Sequence, residues 1–203
     1  MAVTGSYPVA CLLALTLTAG ACARPTIAIQ PFTGFDSSLT AAARSAIVKA
    51  FDSASVTVLP AQPLPRSAWY APRSRYRADS LLRWLDSVAG TSYTRIIGLT
   101  HKDISATKDT IPDWGLFGLG ALAGKACVVS TFRLRRNATA EVLRRRFVDV
   151  VVHELGHTFG LDHCPVVGCI MEDARGTIKT VDRSTGTFCE SCRKLLGIAL
   201  ESF

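Results

Sequence analysis

The sequence predicts an α/β fold: a mixed, mostly parallel sheet with helices on its faces. Three observations carry this. Short β-rich runs at 26–30, 55–59 and 93–100 alternate with helical patterns at 37–51 and 77–89. That alternation is the signature of βαβ units. A long amphipathic stretch at 143–160 then carries histidines four residues apart. Finally, 203 residues suit one domain, and about half of them are apolar, with no low-complexity tract or internal repeat.

Thr26 to Gln30 alternates as a buried strand does. Ser37 to Phe51 is alanine-rich with helical periodicity, and Asp36 or Ser37 can cap it. Ser55 to Leu59 reads as a second strand, and proline-rich 60–72 as a loop. In Arg77 to Ala89, Leu81, Leu82, Leu85 and Val88 share one helical face, and Gly90 ends the helix. Tyr93 to Thr100 is a strong third strand. Asp103 to Leu122 is glycine-rich and reads as loop, Ala126 to Leu134 as a further strand. An antiparallel edge strand is expected before the histidine-bearing helix, beside a cleft. Either end of 114–134 could supply it. After Gly160 little regular pattern is visible until Cys189, where Leu195, Leu196, Ala199 and Leu200 begin a final short helix.

The histidine-bearing helix carries the chemistry. His153 and His157 lie one turn apart on one face, so both imidazoles can reach one metal ion. Glu154 is rotated off that face and can reach a metal-held water as a general base. Gly160 can end the helix in the left-handed conformation, and His163 can then return as a third ligand. Three protein ligands leave one tetrahedral vertex for water, the mark of a catalytic zinc site. The pattern His-Glu-x-x-His-x-x-Gly-x-x-His with a downstream methionine, here Met171, matches a known zinc-protease motif. Met171 is expected as an apolar floor and not as a ligand.

Four of the seven cysteines follow as two close pairs, Cys164 with Cys169 and Cys189 with Cys192. Their spacing suits a closed structural zinc site. Two disulfides are the competing reading, favoured if the chain is exported. Cys127 lies in an apolar run and reads as a small buried residue. The first 21 residues read as a signal peptide: 9–21 has the length of an apolar signal core, too short for a membrane span. Small residues precede Cys22, which makes Cys22 a candidate for lipid attachment. No lysine or arginine precedes the run, so a plain secretory signal or a misassigned start codon stays open. The expected place is exported, periplasmic or lipid-anchored, with cytoplasmic the alternative. The net charge of +7 includes Arg133, Arg135, Arg136, Arg144, Arg145 and Arg146. No nucleic-acid motif accompanies them, so no nucleic-acid partner is expected.

The ten-residue constellation from His153 to Cys192 resembles the archaemetzincins, a branch of the metzincin metallopeptidases. His163-Cys164, the gap to Cys169, Met171 two residues on, and Cys189-x-x-Cys192 carry the resemblance. Ala71-Pro72-Arg73-Ser74-Arg75-Tyr76-Arg77-Ala78, Gly98-Leu99-Thr100-His101-Lys102-Asp103-Ile104 and Asp113-Trp114-Gly115 also look similar to that family. The resemblance covers roughly 25–203. It implies one archaemetzincin-like domain over 22–203, with an upper lobe at about 25–160 and a small lower lobe at about 161–203. It also implies two zinc ions: a catalytic one on His153, His157 and His163 with Glu154 as base, and a structural one on Cys164, Cys169, Cys189 and Cys192. The expected activity is peptide-bond hydrolysis by a zinc-bound water, on peptides or small proteins, by a monomer. The alternative is a zinc-stabilised binding module whose peptidase chemistry is vestigial. The leader departs from the family, which is described as cytosolic.

Overall fold

A computed structural model of the chain describes residues 24–52 and 54–201. The signal-peptide expectation at 1–21 and Cys22 lie outside the described residues. In chain order, β1 (Thr26–Pro31) leads to α1 (Ser37–Ala50), β2 (Ser55–Val58), β3 (Trp69–Tyr70), β4 (Arg75–Arg77) and α2 (Ala78–Ala89). Then come β5 (Arg95–Thr100), β6 (Ile104–Lys108), β7 (Ile111–Leu116), β8 (Gly118–Gly120) and β9 (Ala126–Ser130). Helices α3 (Thr131–Leu134), α4 (Ala140–Thr158), α5 (Ile178–Arg183) and α6 (Glu190–Glu201) complete the fold.

The main sheet has the order β2-β1-β5-β9-β8. Its first four strands are parallel, and only β8 runs antiparallel, against β9. The mixed, mostly parallel sheet is therefore as expected. Alternate side chains divide between two faces. Ile27, Ile29, Ile97, Leu99, Cys127 and Val129 pack against α1 and α4, while Ala28, Ile96, Ala126 and Val128 pack against α2. Ile27, Ile29, Ile97 and Leu99 are wholly buried, each contributing about 1.5–3 kcal/mol of apolar burial. The Asp36 carboxylate caps α1, accepting from the Ser38 N–H at 2.7 Å, and Gly90 ends α2 at φ 51°.

Four expectations are corrected. Residues 103–122 are not a loop. They form the hairpin β6–β7 and the edge strand β8, with β6 and β7 joining β3 and β4 in a second sheet. Glycines hid these strands. Gly115, Gly118 and Gly120 stand where other parts of the chain approach the backbone too closely for a Cβ. The strand expected over 126–134 stops at Ser130, whose hydroxyl accepts from the Phe132 N–H at 3.1 Å and turns the chain into α3. The loop expected at 60–72 contains the short strand β3, and the region before Cys189 contains α5, capped by Thr177. The antiparallel edge strand is β8, so the N-terminal part of 114–134 forms the rim.

Beyond Gly160 the chain passes beneath α4. Ile170, Met171, Phe188, Cys192 and Leu196 complete the same core that α1 and α4 build.

Candidate metal centre

Helix α4 begins at a Thr139 cap, its hydroxyl accepting from the Val142 N–H at 3.2 Å. It ends in a Schellman turn: Leu161 N–H donates to Gly156 O at 3.1 Å and Gly160 N–H to His157 O at 2.9 Å, with Gly160 at φ 87°. This turn brings His163 back toward His153 and His157. The nearest ligand atoms of the three rings lie within 4.8 Å of one another.

Two backbone carbonyls fix the imidazoles. His153 Nδ1 lies 2.7 Å from Ile170 O, and His157 Nδ1 lies 2.7 Å from Leu161 O. A carbonyl can only accept, so each Nδ1 carries the proton and each Nε2 presents a lone pair. The two Nε2 atoms face each other at 3.1 Å. Burial and the neighbouring His157 push the His153 pKa down to about 3, and burial likewise lowers that of His157. Two neutral acceptors face to face repel unless a cation lies between them. Zinc–nitrogen bonds of 2.0–2.1 Å in a tetrahedron place two ligand nitrogens roughly 3.4 Å apart, close to what is seen. The donor set and its spacing therefore fit a zinc ion. His163 is exposed on the cleft side, its Nδ1 4.0 Å from Asp173 Oδ2.

Glu154 is buried beside this trio and lines the cleft, a cavity of about 340 Å³. Burial raises its carboxyl pKa to about 8, against the backbone hydrogen bond from Gly120. A divalent ion nearby would pull that pKa back down. The edge strand presses directly on this carboxylate. A Cβ on Gly118 would stand 2.6 Å from Glu154 Oε1, and one on Gly120 2.4 Å from the Glu154 carbonyl oxygen. Met171 is fully buried beneath the helix, its Sδ 2.5 Å from where a Gly156 Cβ would be. It packs against α4 at Gly156.

The four cysteines also converge. Cys164 Sγ lies 3.7 Å from Cys189 Sγ, and Cys169 Sγ 3.8 Å from Cys192 Sγ. A disulfide needs about 2.05 Å. Four sulfurs around a zinc at about 2.3 Å stand roughly 3.8 Å apart, so the geometry fits a thiolate metal site and not two disulfides. The Cys192 backbone N–H at the start of α6 lowers the Cys189 thiol to about 7, which readies it as a thiolate. Cys164 follows His163 directly, and its N–H donates to Met171 O at 2.8 Å. One short segment thus belongs to both clusters. Cys127 is a buried core residue, as expected, and burial raises its thiol pKa.

The structure brings together every expected ligand within the described residues. Sequence reasoning missed Gly118, Gly120 and Gly156, which let backbone and side chain meet, and the carbonyls of Leu161 and Ile170. The glycines left a signal, a Gly-x-Gly just before a buried strand. The carbonyls left none.

The family model of peptidase family M54 matches residues 65–197. The archaemetzincin of Methanopyrus kandleri is 38% identical over 133 residues, which is 66% of this chain and 72% of that protein. Its crystal structure superimposes with a TM-score of 0.76 at 30% identity, covering 88% of this chain and 96% of that one. The crystal structure of the Archaeoglobus fulgidus archaemetzincin, complexed with malonate, gives 0.71 at 33% identity, covering 84% and 99%.

Proposed function

Because the chain belongs to peptidase family M54, the archaemetzincins, and is thereby a zinc metallopeptidase, we propose a role for each residue of its two clusters. His153, His157 and His163 hold a catalytic zinc. Cys164, Cys169, Cys189 and Cys192 hold a second, structural one. The observation that carries the first assignment is the pair of Nε2 lone pairs facing at 3.1 Å beside a buried carboxylate. The 3.7 and 3.8 Å sulfur separations support the second.

A zinc ion held by His153, His157 and His163 would supply a Lewis acid for the peptide carbonyl and a water with its pKa lowered to about 7. Glu154 takes a proton from the attacking water as its oxygen adds to the carbonyl carbon. Glu154 then returns that proton to the amine nitrogen as the C–N bond breaks. The Ile170 and Leu161 carbonyls hold two ligand rings in one tautomer throughout. Strand β8 is the last strand of its sheet among the described residues, and a peptide adding to it as a further strand would be aligned by main-chain hydrogen bonds. Gly118 and Gly120 keep that edge against Glu154.

Glu154→Gln tests this reading. The variant should keep two zinc ions by metal analysis and lose cleavage of a peptide library by about 10²–10⁴-fold. Undiminished cleavage would remove Glu154 as base. Two zinc ions with no cleavage even in the wild type would favour the binding-module alternative.

Export is a separate proposal, carried by residues 9–22 alone: the leader is removed and Cys22 takes a lipid. Labelled fatty acid should enter the wild-type chain and not Cys22→Ser. Equal labelling of both, or of neither, sinks it.

A further inference from the structure

The cleft is not the largest cavity in the described residues. Beside it lies a basin of about 990 Å³, lined by Arg73, Lys102, Arg133, Arg136, Trp69 and Phe132 among others. Gly115, Phe117 and Gly176 line both cavities, so the basin continues the cleft past the Gly118 end of β8. None of the catalytic assignments uses it.

The basin is built on two buried carboxylates. Asp103 receives Arg75 Nε at 2.7 Å and Arg133 through Nε at 2.8 Å and Nη2 at 3.1 Å. Asp113 receives Arg75 Nη1 at 3.0 Å and Arg73 Nε at 3.3 Å. Both carboxylate side chains are less than a tenth exposed, whereas Arg73 and Arg133 reach the surface. Gly115 makes the seat: a Cβ there would stand 2.0 Å from Arg133 Cζ, so the guanidinium lies flat on bare backbone. Lys102 and Arg136 add exposed positive charge, and Trp69 and Phe132 exposed aromatic surface. Five cations therefore stand against two carboxylates, and the carboxylates lie beneath them. Arginines clamped from below lose little side-chain entropy when they take up an anion from above.

We infer that this basin is a subsite for acidic residues of the peptide substrate, on the C-terminal side of the bond that is cut. It rests on the peptidase reading. A peptide pairing antiparallel to β8 runs from Gly120 toward Gly118, and its C-terminal half then passes Phe117 and Gly115 into the basin. Lys102, Arg136 and the guanidinium N–H groups of Arg73 and Arg133 not taken by Asp103 and Asp113 receive glutamate or aspartate side chains, or a terminal carboxylate. Trp69 and Phe132 cover the aliphatic parts.

The test compares two peptides that differ only in a C-terminal cluster of three glutamates or three glutamines. Binding is measured by calorimetry on the zinc-loaded Glu154→Gln chain, and kcat/KM on the zinc-loaded wild type. The glutamate peptide should bind about tenfold more tightly, the sum of a few partly exposed ion pairs. That preference should shrink as salt rises. The double variant Lys102→Glu with Arg136→Glu changes two exposed side chains, so its thermal midpoint should stay near that of the parent while the preference vanishes. Equal binding of the two peptides overturns the inference. So does a preference that survives in the double variant, or an oligonucleotide held in the basin while the peptides bind alike. Should the wild type cut no peptide, the peptidase reading fails, and the binding comparison still decides this one.

Discussion

The histidine and cysteine clusters share one short segment but solve opposite problems. The histidines sit two on a rigid helix and one on the turn beyond it, with His163 exposed to the cleft. The cysteines come from two loop positions, the residue before α6 and its first turn, with Cys169 and Cys192 buried. Three imidazoles leave a tetrahedral ion open to water, whereas four thiolates close it. Helix geometry sets the first cluster, whereas the second joins the segment beyond the helix to the start of α6.

The largest expected effect breaks the closed side. Cys192→Ser should lower the zinc content from two per chain to one and lower the thermal midpoint by more than ten degrees, because metal-binding free energy there is folding free energy. Since Cys164 follows His163, cleavage should fall as well. Two zinc ions with an unchanged midpoint would refute the closed site.

A smaller effect should separate the two sites. Gly120→Ala puts a Cβ against the Glu154 backbone, which forces β8 away from α4 at a cost of about 1–3 kcal/mol. Peptide kcat/KM should drop about a hundredfold while both zinc ions stay bound. Full activity would mean that the approach of β8 to Glu154 does not matter.

The smallest concerns the junction. Asp149 lies on α4 one turn before His153, and its Oδ1 would be 3.3 Å from a Cβ on Gly186, in the loop that leads to Cys189. Burial raises its carboxyl pKa from 3.8 to about 6, with the Ser184 hydroxyl and Arg145 opposing. The folded state thus binds this proton more tightly than the unfolded one. Its contribution is present below pH 4 and is lost as pH rises through 6. Asp149→Asn should therefore stabilise the protein at pH 7.5 by about 1–2 kcal/mol and give no gain at pH 4, by denaturant unfolding. Lower stability at pH 7.5 would show that the ionised carboxylate is needed.

Much of the metal chemistry was legible because it is local. His153 and His157 meet through helix periodicity, and Gly160 turns the chain within three residues. Cys189 and Cys192 are close by spacing alone. The hairpin β6–β7 and the edge strand β8 were illegible because Gly115, Gly118 and Gly120 interrupt the alternating pattern, and they are there for partners elsewhere in the chain. Gly115 answers to Arg133 and Gly118 to Glu154.

Three histidines beside a carboxylate, two close cysteine pairs and a mostly parallel α/β plan could be read from the sequence, since each depends on residues within a turn or a short segment of one another. Only the tertiary structure shows which carbonyls hold the imidazole tautomers, which strand forms the rim, and that Arg75, Asp103, Asp113 and Arg133 meet in one ion-pair network. Those contacts join backbone groups that carry no residue identity, or side chains some thirty positions apart, and only a folded core sets such distances.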